Sequence, residues 1–244
     1  MADPLLDAIE NLSHFHREHE KFYAQHPRQQ AVDLQRHSRS LAALADRWSA
    51  VTAEALDALN PYEGSPDLNS SDATQLDGIL FMEGEGEPVE ITRIKRDLRT
   101  IGDDSIETGT WLADAMDATW DAATMLLAYP QLADLLGDRH RIIANDRQAA
   151  SMSALAGRSL HRAAELLDHI DFTPAGLRAD LTADRTAVSY LYSAVELIDH
   201  AADLLSDSAG LVHDNEPRWR RFHDRICSIT SPPEPAHHSS RGGT

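Results

Sequence analysis

Apolar residues recur along the chain at alternating steps of three and four positions. Between residues 175 and 216 the stripe includes one acidic position, Asp184, and otherwise consists of Leu177, Leu181, Val188, Leu191, Val195, Ile198, Ala202, Leu205, Ala209 and Val212. Similar stripes run from Leu5 to Tyr23 and from Leu34 to Ala55. Because this spacing keeps side chains on one face of a helix, each stripe predicts an amphipathic helix that packs against other helices.

The 11 prolines separate these helices from one another. A proline costs about 3 kcal/mol inside a helix but is accepted in the first turn. The long proline-free intervals are therefore candidate helices, and they cover residues 28–60, 89–129, 131–173 and 175–216. Gly102 and Gly137 can each end a helix, so the second and third intervals are either continuous or broken. The pattern predicts an all-α fold, an antiparallel bundle of four or five long helices.

Two segments depart from the helical pattern. Residues 61–88 are rich in Gly, Pro, Ser, Asn and Asp, which favours turns, and we expect an irregular loop whose apolar run at 78–82 docks on the bundle. Residues 231–244 are rich in Pro and Ser without a hydrophobic anchor, which is typical of a disordered tail. The sequence thus predicts one helical domain over 1–230 and a C-terminal tail over 231–244, whose role it does not indicate.

Composition and charge narrow the function classes. The formal net charge is −18, with 42% hydrophobic and 25% charged residues, as in ordinary globular proteins. A surface with this excess of negative charge repels phosphate groups, which disfavours binding to nucleic acid and to anionic lipid. No apolar run approaches the roughly 20 residues of a membrane span, and the first residues do not resemble a secretory signal. Since the single cysteine, Cys227, excludes an internal disulfide, we expect a cytoplasmic protein without nucleic-acid or membrane partners.

Histidines on the predicted apolar stripes suggest a metal site. His16 and His19 lie on the first stripe, Glu20 is one turn from His16, and His37 lies on the second stripe. Helical bundles hold metals with inward-pointing carboxylates and imidazoles, and imidazole suits Fe, Zn or Cu. The alternative is that these imidazoles lie at the edge of a stripe and form hydrogen bonds with nearby acidic residues. A divalent metal is the only cofactor that the sequence suggests, and the leading expectation is none.

A local repeat places carboxylates on two helices. The pattern E-L-[LI]-D-H contains Glu165 and Asp168 in one interval, and Glu196 and Asp199 in the next. Oxygen ligands of this kind hold Mg²⁺ in helical nucleotide pyrophosphatases, which makes a magnesium-dependent hydrolase a hypothesis. A chain reversal near Pro174 would separate the two pairs by about 22 Å along the bundle. The alternative is two solvated helix faces with ordinary i,i+4 pairs.

The segment RWRRFHDR at 218–225 is the one basic and aromatic cluster. Arg218 and His223 have the Arg-x4-His spacing of a class of all-α ribonucleases, in which such a pair acts on a 2′-hydroxyl and a phosphate. We expect a short helix that begins at Pro217. The alternative is a cationic cap against the acidic helices.

Two further observations concern the core. Asp146 and Asp184 fall on or near apolar stripes, and because a buried charge must be paired or hydrated, we expect them to specify helix register. Trp111, Met116 and Trp120 form a bulky stripe that is typical of a core or an oligomer interface.

The leading functional prediction is a non-catalytic one. No catalytic constellation can be assembled from these candidates, so we expect a scaffold, adaptor or regulator that acts through contact with a protein partner or with itself. A homodimer is consistent with long stripes, which often bury more surface than one chain covers. The alternatives are a metal-binding bundle and a magnesium-dependent nucleotide or RNA hydrolase.

Overall fold

The structure, a computed structural model, describes residues 26–59, 89–126, 134–172 and 186–230, together with Asp7. It contains four helices, which we label α1 (His26–Leu59), α2 (Val89–Leu126), α3 (Leu136–Asp168) and α4 (Ala187–Thr230). No strand occurs in these ranges, and the all-α prediction is confirmed. None of the four helices combines the length and the apolar character that crossing a bilayer demands. The predicted first helix at 5–23, the loop at 61–88 and the tail at 231–244 lie outside the described residues.

The helices form an up-and-down bundle in which α3 packs between α2 and α4, and α4 also packs on α1. Polar contacts fix the antiparallel order. Between α1 and α2, Gln30 bonds to Asp104 and His37 contacts Asp97, so residue numbers rise along one helix as they fall along the other. Within the described residues, α1 and α2 contact each other far less than the other neighbouring helices do. The interface between α1 and α2 therefore depends on a few polar pairs.

The apolar stripes form the core that the sequence predicts. On α4 the stripe residues Leu191, Ile198, Ala202, Leu205, Ala209 and Val212 are buried. The first four belong to one cluster with Leu34 and Leu41 of α1, Leu98 of α2 and Leu160 of α3, and Val212 packs in a second cluster with Leu112 and Ala149. Burial of apolar area, worth about 25 cal/mol per Å², is the main force that holds the four helices together.

Helix α2 is continuous through Gly102. A Cβ atom at Gly102 would lie 3.3 Å from the carbonyl oxygen of Gly157 on α3, and one at Gly157 would lie 2.6 Å from the carbonyl oxygen of Gly102. The two glycines let the backbones of α2 and α3 approach closely, so Gly102 is a packing residue and not a helix end. Gly137 lies in the first turn of α3, after a turn at residues 134–135.

Pro217 does not divide two helices. Helix α4 continues through it to Thr230, so the prediction of a separate short helix that begins at Pro217 is wrong. The proline ring is exposed, which leaves the carbonyl that loses its N–H partner on the solvent side. On the inner face, Asn215 and Trp219 are buried on either side of Pro217. Their packing compensates for the lost backbone hydrogen bond.

Candidate functional site

A buried polar cluster joins α3 to α4. The side chain of Asp146 is fully buried, and its Oδ1 accepts a hydrogen bond of 2.8 Å from Asn215 Nδ2. The same amide nitrogen donates to the carbonyl of Ile142 at 3.3 Å, and Asn145 Nδ2 donates to Asn215 Oδ1 at 2.9 Å. Asp146 is therefore hydrogen-bonded within the core, as the sequence requires of a polar group there, and Asp184 lies outside the described residues. A charge without access to solvent suits the specification of register better than catalysis.

A second buried contact lies further along the same two helices. The hydroxyl oxygens of Ser153 and Ser208 are 3.0 Å apart, and the Ser208 hydroxyl lies 3.1 Å from the carbonyl oxygen of Ala149. Both hydroxyls can therefore be satisfied without water. The interface between α3 and α4 therefore contains two buried polar contacts, one between Asp146 and Asn215 and one between Ser153 and Ser208.

His37 forms the kind of contact that the alternative to a metal site anticipates. Its side chain is 13% exposed, and Nε2 lies 3.3 Å from Asp97 Oδ2 on α2. The other metal candidates, His16, His19 and Glu20, lie outside the described residues. Within the described ranges no group of three or more His, Cys, Asp or Glu side chains is placed to hold a metal ion. The metal site stays a prediction that involves the N-terminal residues.

The buried position of His37 makes the stability of the α1–α2 seam depend on pH. Desolvation lowers the pKa of His37 below 6.5, with a smaller effect of Arg93 and Arg36 in the same direction, and Asp97 and Asp33 oppose it. The unfolded chain then binds a proton more readily than the folded one, so stability is lost as pH falls through 6.5 towards the folded pKa. We expect the unfolding temperature of the wild type, relative to His37→Gln, to fall between pH 7.5 and pH 5.

The matched control for this measurement is His161→Gln. His161 also contacts a carboxylate, with Nε2 3.1 Å from Asp103 Oδ1, but its side chain is 35% exposed. A profile for His161→Gln that matches the profile for His37→Gln over the same pH range would assign the effect to histidine–carboxylate contacts in general and not to the α1–α2 seam. A wild type that gains stability over His37→Gln on acidification would contradict the prediction.

The two carboxylate pairs of the repeat do not form one site. Asp168 contacts α2, where it accepts hydrogen bonds from Lys95 at 2.9 Å and from Arg99. Desolvation raises the pKa of Asp168, but the hydrogen bonds from Lys95 and Arg99 outweigh it, so its pKa is lowered and it stays ionised. Glu165 is exposed and bonds to Arg162 of its own helix at 2.8 Å. Glu196 and Asp199 are exposed residues of α4.

The reason for the separation differs from the one that the sequence suggests. Helix α4 begins at Ala187, not near Pro174, and the Ser153–Ser208 contact sets its register against α3. Continued at 1.5 Å per residue, that register places Glu165 level with about residue 196, so the expected separation of about 22 Å along the bundle is wrong. The two carboxylate pairs lie on different sides of the bundle, because Asp168 contacts α2 and Glu196 is on the solvent side of α4.

The arginines of RWRRFHDR are held by acidic residues and a carbonyl. Arg221 lies 2.9 Å from Asp138 and Arg225 lies 3.9 Å from Asp134, across an open cleft of about 720 Å³ between the start of α3 and the end of α4. Arg220 pairs with Glu216. Asp224 also lines the cleft, so three carboxylates face two arginines there, which is the arrangement of a cationic cap against acidic helices.

The helical backbone places Arg218 and His223 on different sides of α4, which does not favour a joint catalytic role. Both belong to the continuous helix α4, where five residues correspond to a rotation of about 140° around the axis. The guanidinium of Arg218 donates to the carbonyl of Asp214, one turn earlier. Only the backbone of His223 is described.

The bulky stripe on α2 divides between core and surface. Trp111 packs against a small cluster that contains Leu112 and Val212, and Met116 is half-buried. Trp120 is 53% exposed, and the guanidinium carbon of Arg139 lies 4.4 Å from its ring centroid. Nothing in the sequence around Arg139 distinguishes it from the chain's other arginines.

The outer surface of α4 carries a continuous row of acids, which we name the α4 acidic face. It consists of Glu196, Asp199, Asp203, Asp207 and Asp214. All five residues are exposed, and in the described part of the chain none of their carboxylates takes part in an ion pair or hydrogen bond. The segment 187–217 contains no Lys or Arg. The acids recur at steps of three, four and seven, a helical spacing that is visible in the sequence once α4 is known to be one helix.

Comparison with protein-family models, curated proteins and solved structures finds no match to the chain.

Proposed function

We propose that this protein is a non-enzymatic helical bundle that acts in the cytoplasm as a scaffold, adaptor or regulator, and that it binds a basic protein partner through the α4 acidic face. The observation that carries the proposal is the row of five exposed carboxylates on one side of one helix, for which the described residues provide no ion pair or hydrogen bond. Elsewhere on the described surface, carboxylates such as Asp168, Asp97 and Asp138 have cationic partners.

The charge arrangement favours a cationic partner over a second copy of the chain. Glu196 and Asp214 are separated by 18 residues, so the face is about 27 Å long at 1.5 Å per residue. Like charges that meet across an interface cost several kcal/mol, and opposite charges accelerate association. Two α4 acidic faces would repel each other, whereas a partner helix with Lys or Arg at matching steps would fit. If the chain forms a homodimer, we expect another surface to form it.

The helix that carries the face is rigid enough to act as a platform. The opposite side of α4 is anchored by buried residues along the same stretch, among them Ile198, Leu205 and Val212. Because the backbone is fixed by that packing, the five carboxylates have a preset spacing. A partner therefore meets a prearranged row of charges, which lowers the entropic cost of association.

The test compares two variants with the same change in charge. In the first, Glu196→Gln, Asp199→Asn and Asp203→Asn remove three charges from the α4 acidic face. In the control, Glu107→Gln, Asp114→Asn and Asp117→Asn remove three charges from exposed positions of α2. Each protein is immobilised and used to capture partners from a cell extract at 50 mM and 300 mM salt, with quantification by mass spectrometry.

We expect at least one basic protein that the wild type and the α2 control retain and the α4 variant loses, with weaker retention at the higher salt concentration. Purified partner should then bind the α4 variant about tenfold or more weakly, which corresponds to about 1.4 kcal/mol. Equal retention by the α4 variant and the control would overturn the proposal, because net charge alone would then explain the binding.

A further inference from the structure

Arg139 is a buried cation to which the described chain offers no acidic group. Its side chain is 7% exposed, its Nε is buried, and no hydrogen-bond acceptor in the structure reaches that atom. Its contact with the Trp120 ring is a cation–π interaction, which supplies no hydrogen-bond acceptor. A buried guanidinium with an unbonded N–H is destabilising, so an arginine at this position favours an anion, which none of the described residues supplies through an ion pair.

The neighbouring backbone also favours an anion. Arg139 lies in the first turn of α3, whose N-cap residue, Leu135, provides no side-chain hydrogen bond to the N–H groups of that turn. Side chains of a helix project towards its N-terminus, so the guanidinium of Arg139 and these N–H groups are at the same end of α3. The acidic residue of that turn, Asp138, is bonded to Arg221 on α4. The preceding segment, 127–133, contains no Asp or Glu.

We propose that Arg139 and Trp120 form a binding site for a carboxylate group, independent of the α4 acidic face. The ring contacts the face of the guanidinium, and a planar, two-oxygen acceptor binds a guanidinium along its edge, which includes the unbonded Nε–H. Since Trp120 is 53% exposed, an apolar body attached to the carboxylate can lie against the open part of the indole.

The surrounding charge selects a carboxylate over a phosphate. Asp117 and Asp121 are exposed on α2 within one turn of Trp120, and the net charge of the chain is −18. One guanidinium neutralises a carboxylate, whereas a phosphate dianion bound to it keeps an excess negative charge that these acids repel. The carboxylate can come from a small organic acid or from an acidic side chain of a protein.

The experiment follows the indole N–H of Trp120 by NMR in ¹⁵N-labelled full-length protein, with the resonance assigned from Trp120→Phe. The titrants are acetate, benzoate, phosphate and the capped peptide acetyl-Gly-Glu-Gly-amide, all at constant ionic strength. The variants are Arg139→Met, which removes charge and hydrogen bonds, and Arg139→Lys, which keeps the charge. Arg218→Met is the control, since the guanidinium of Arg218 donates to a carbonyl of its own helix.

We expect a saturable shift with a carboxylate in the wild type and in Arg218→Met, at least about tenfold weaker binding in Arg139→Lys, and none in Arg139→Met. Tighter binding of benzoate than of the peptide would assign the site to a small acid, and the reverse order would assign it to a protein side chain. Should Arg139→Met not fold, Arg139→Lys decides. Preference for phosphate, no saturable shift in the wild type, or unchanged binding in either Arg139 variant would overturn the proposal.

Discussion

Replacement of Asn215 by leucine is expected to lower the free energy of unfolding by about 3–5 kcal/mol, the largest effect of any single substitution considered for this protein. Asn215 donates the 2.8 Å hydrogen bond to Asp146, whose side chain is fully buried. Leucine has similar volume but no donor, so the variant leaves that carboxylate with a weaker set of partners in the core. Chemical denaturation followed by circular dichroism measures the loss.

The double variant Asp146→Leu/Asn215→Leu distinguishes a paired charge from simple misfit. Removal of both polar partners leaves no carboxylate to desolvate, so the double variant should recover much of the stability lost in Asn215→Leu. Asp199→Asn is the surface control on α4 and should change stability by less than about 0.5 kcal/mol. If the two single losses add up in the double variant, Asp146 and Asn215 do not act as a pair.

Replacement of Gly157 by alanine is expected to destabilise the protein by about 1–3 kcal/mol, although alanine is the better helix former by about 1 kcal/mol. The added methyl group would lie 2.6 Å from both the Gly102 carbonyl oxygen and Ile106 Cγ1. Real Cβ atoms do not approach backbone oxygen so closely, so α2 and α3 must move apart. The separation exposes the apolar contacts on both sides of the crossing.

Gly210→Ala provides the matched control for the effect of helix propensity. Gly210 lies within α4, and no heavy atom lies within 4 Å of the position that its Cβ would take. Alanine should therefore raise stability there by about 0.4–1 kcal/mol, chiefly by restricting the unfolded chain. Opposite signs for the two substitutions in thermal unfolding would confirm that close helix approach governs Gly157. A gain in stability in Gly157→Ala would contradict the packing of α2 on α3.

Both predictions concern the contacts that determine how α3 packs against α2 and α4. On one side, glycines allow α2 to approach closely, and on the other side a polar cluster ties α3 to one register of α4. A heptad-like apolar stripe alone tolerates a shift by one or two turns, because the shifted stripe still meets apolar residues. Asn215 bonds to Asp146 in only one register, since every other register leaves the buried carboxylate without that donor.

The described part of the fold follows closely from residue spacing. Steps of three and four predicted the inner face of α4, and these residues are buried as expected. The pairing of Asp146 was predictable because a charge on an apolar stripe must find a partner. Its partner was not predictable, since Asn215 is 69 positions away and the contact depends on the length of the connection between α3 and α4.

The errors have a common origin in tertiary packing. Pro217 is a helix breaker in isolation, yet buried contacts of Asn215 and Trp219 carry α4 through it. The separation of Glu165 from Glu196 was misjudged because the start of α4 at Ala187 could not be read from Pro174. Local propensity is worth about 3 kcal/mol for a proline, which the burial of two large side chains can offset.

The sequence by itself determined that the described chain forms amphipathic helices, which of their faces are buried, and that the surface is strongly acidic. These properties depend on the order of residues within one helix, where neighbours three and four positions apart share a face. Tertiary structure alone decided the register of α3 against α4 and the exposure of Trp120 over a buried Arg139. It also decided that no described residue forms an ion pair with the α4 acidic face. Each of these depends on contacts between distant residues, and the lengths of the connections and the packing of the core set those contacts.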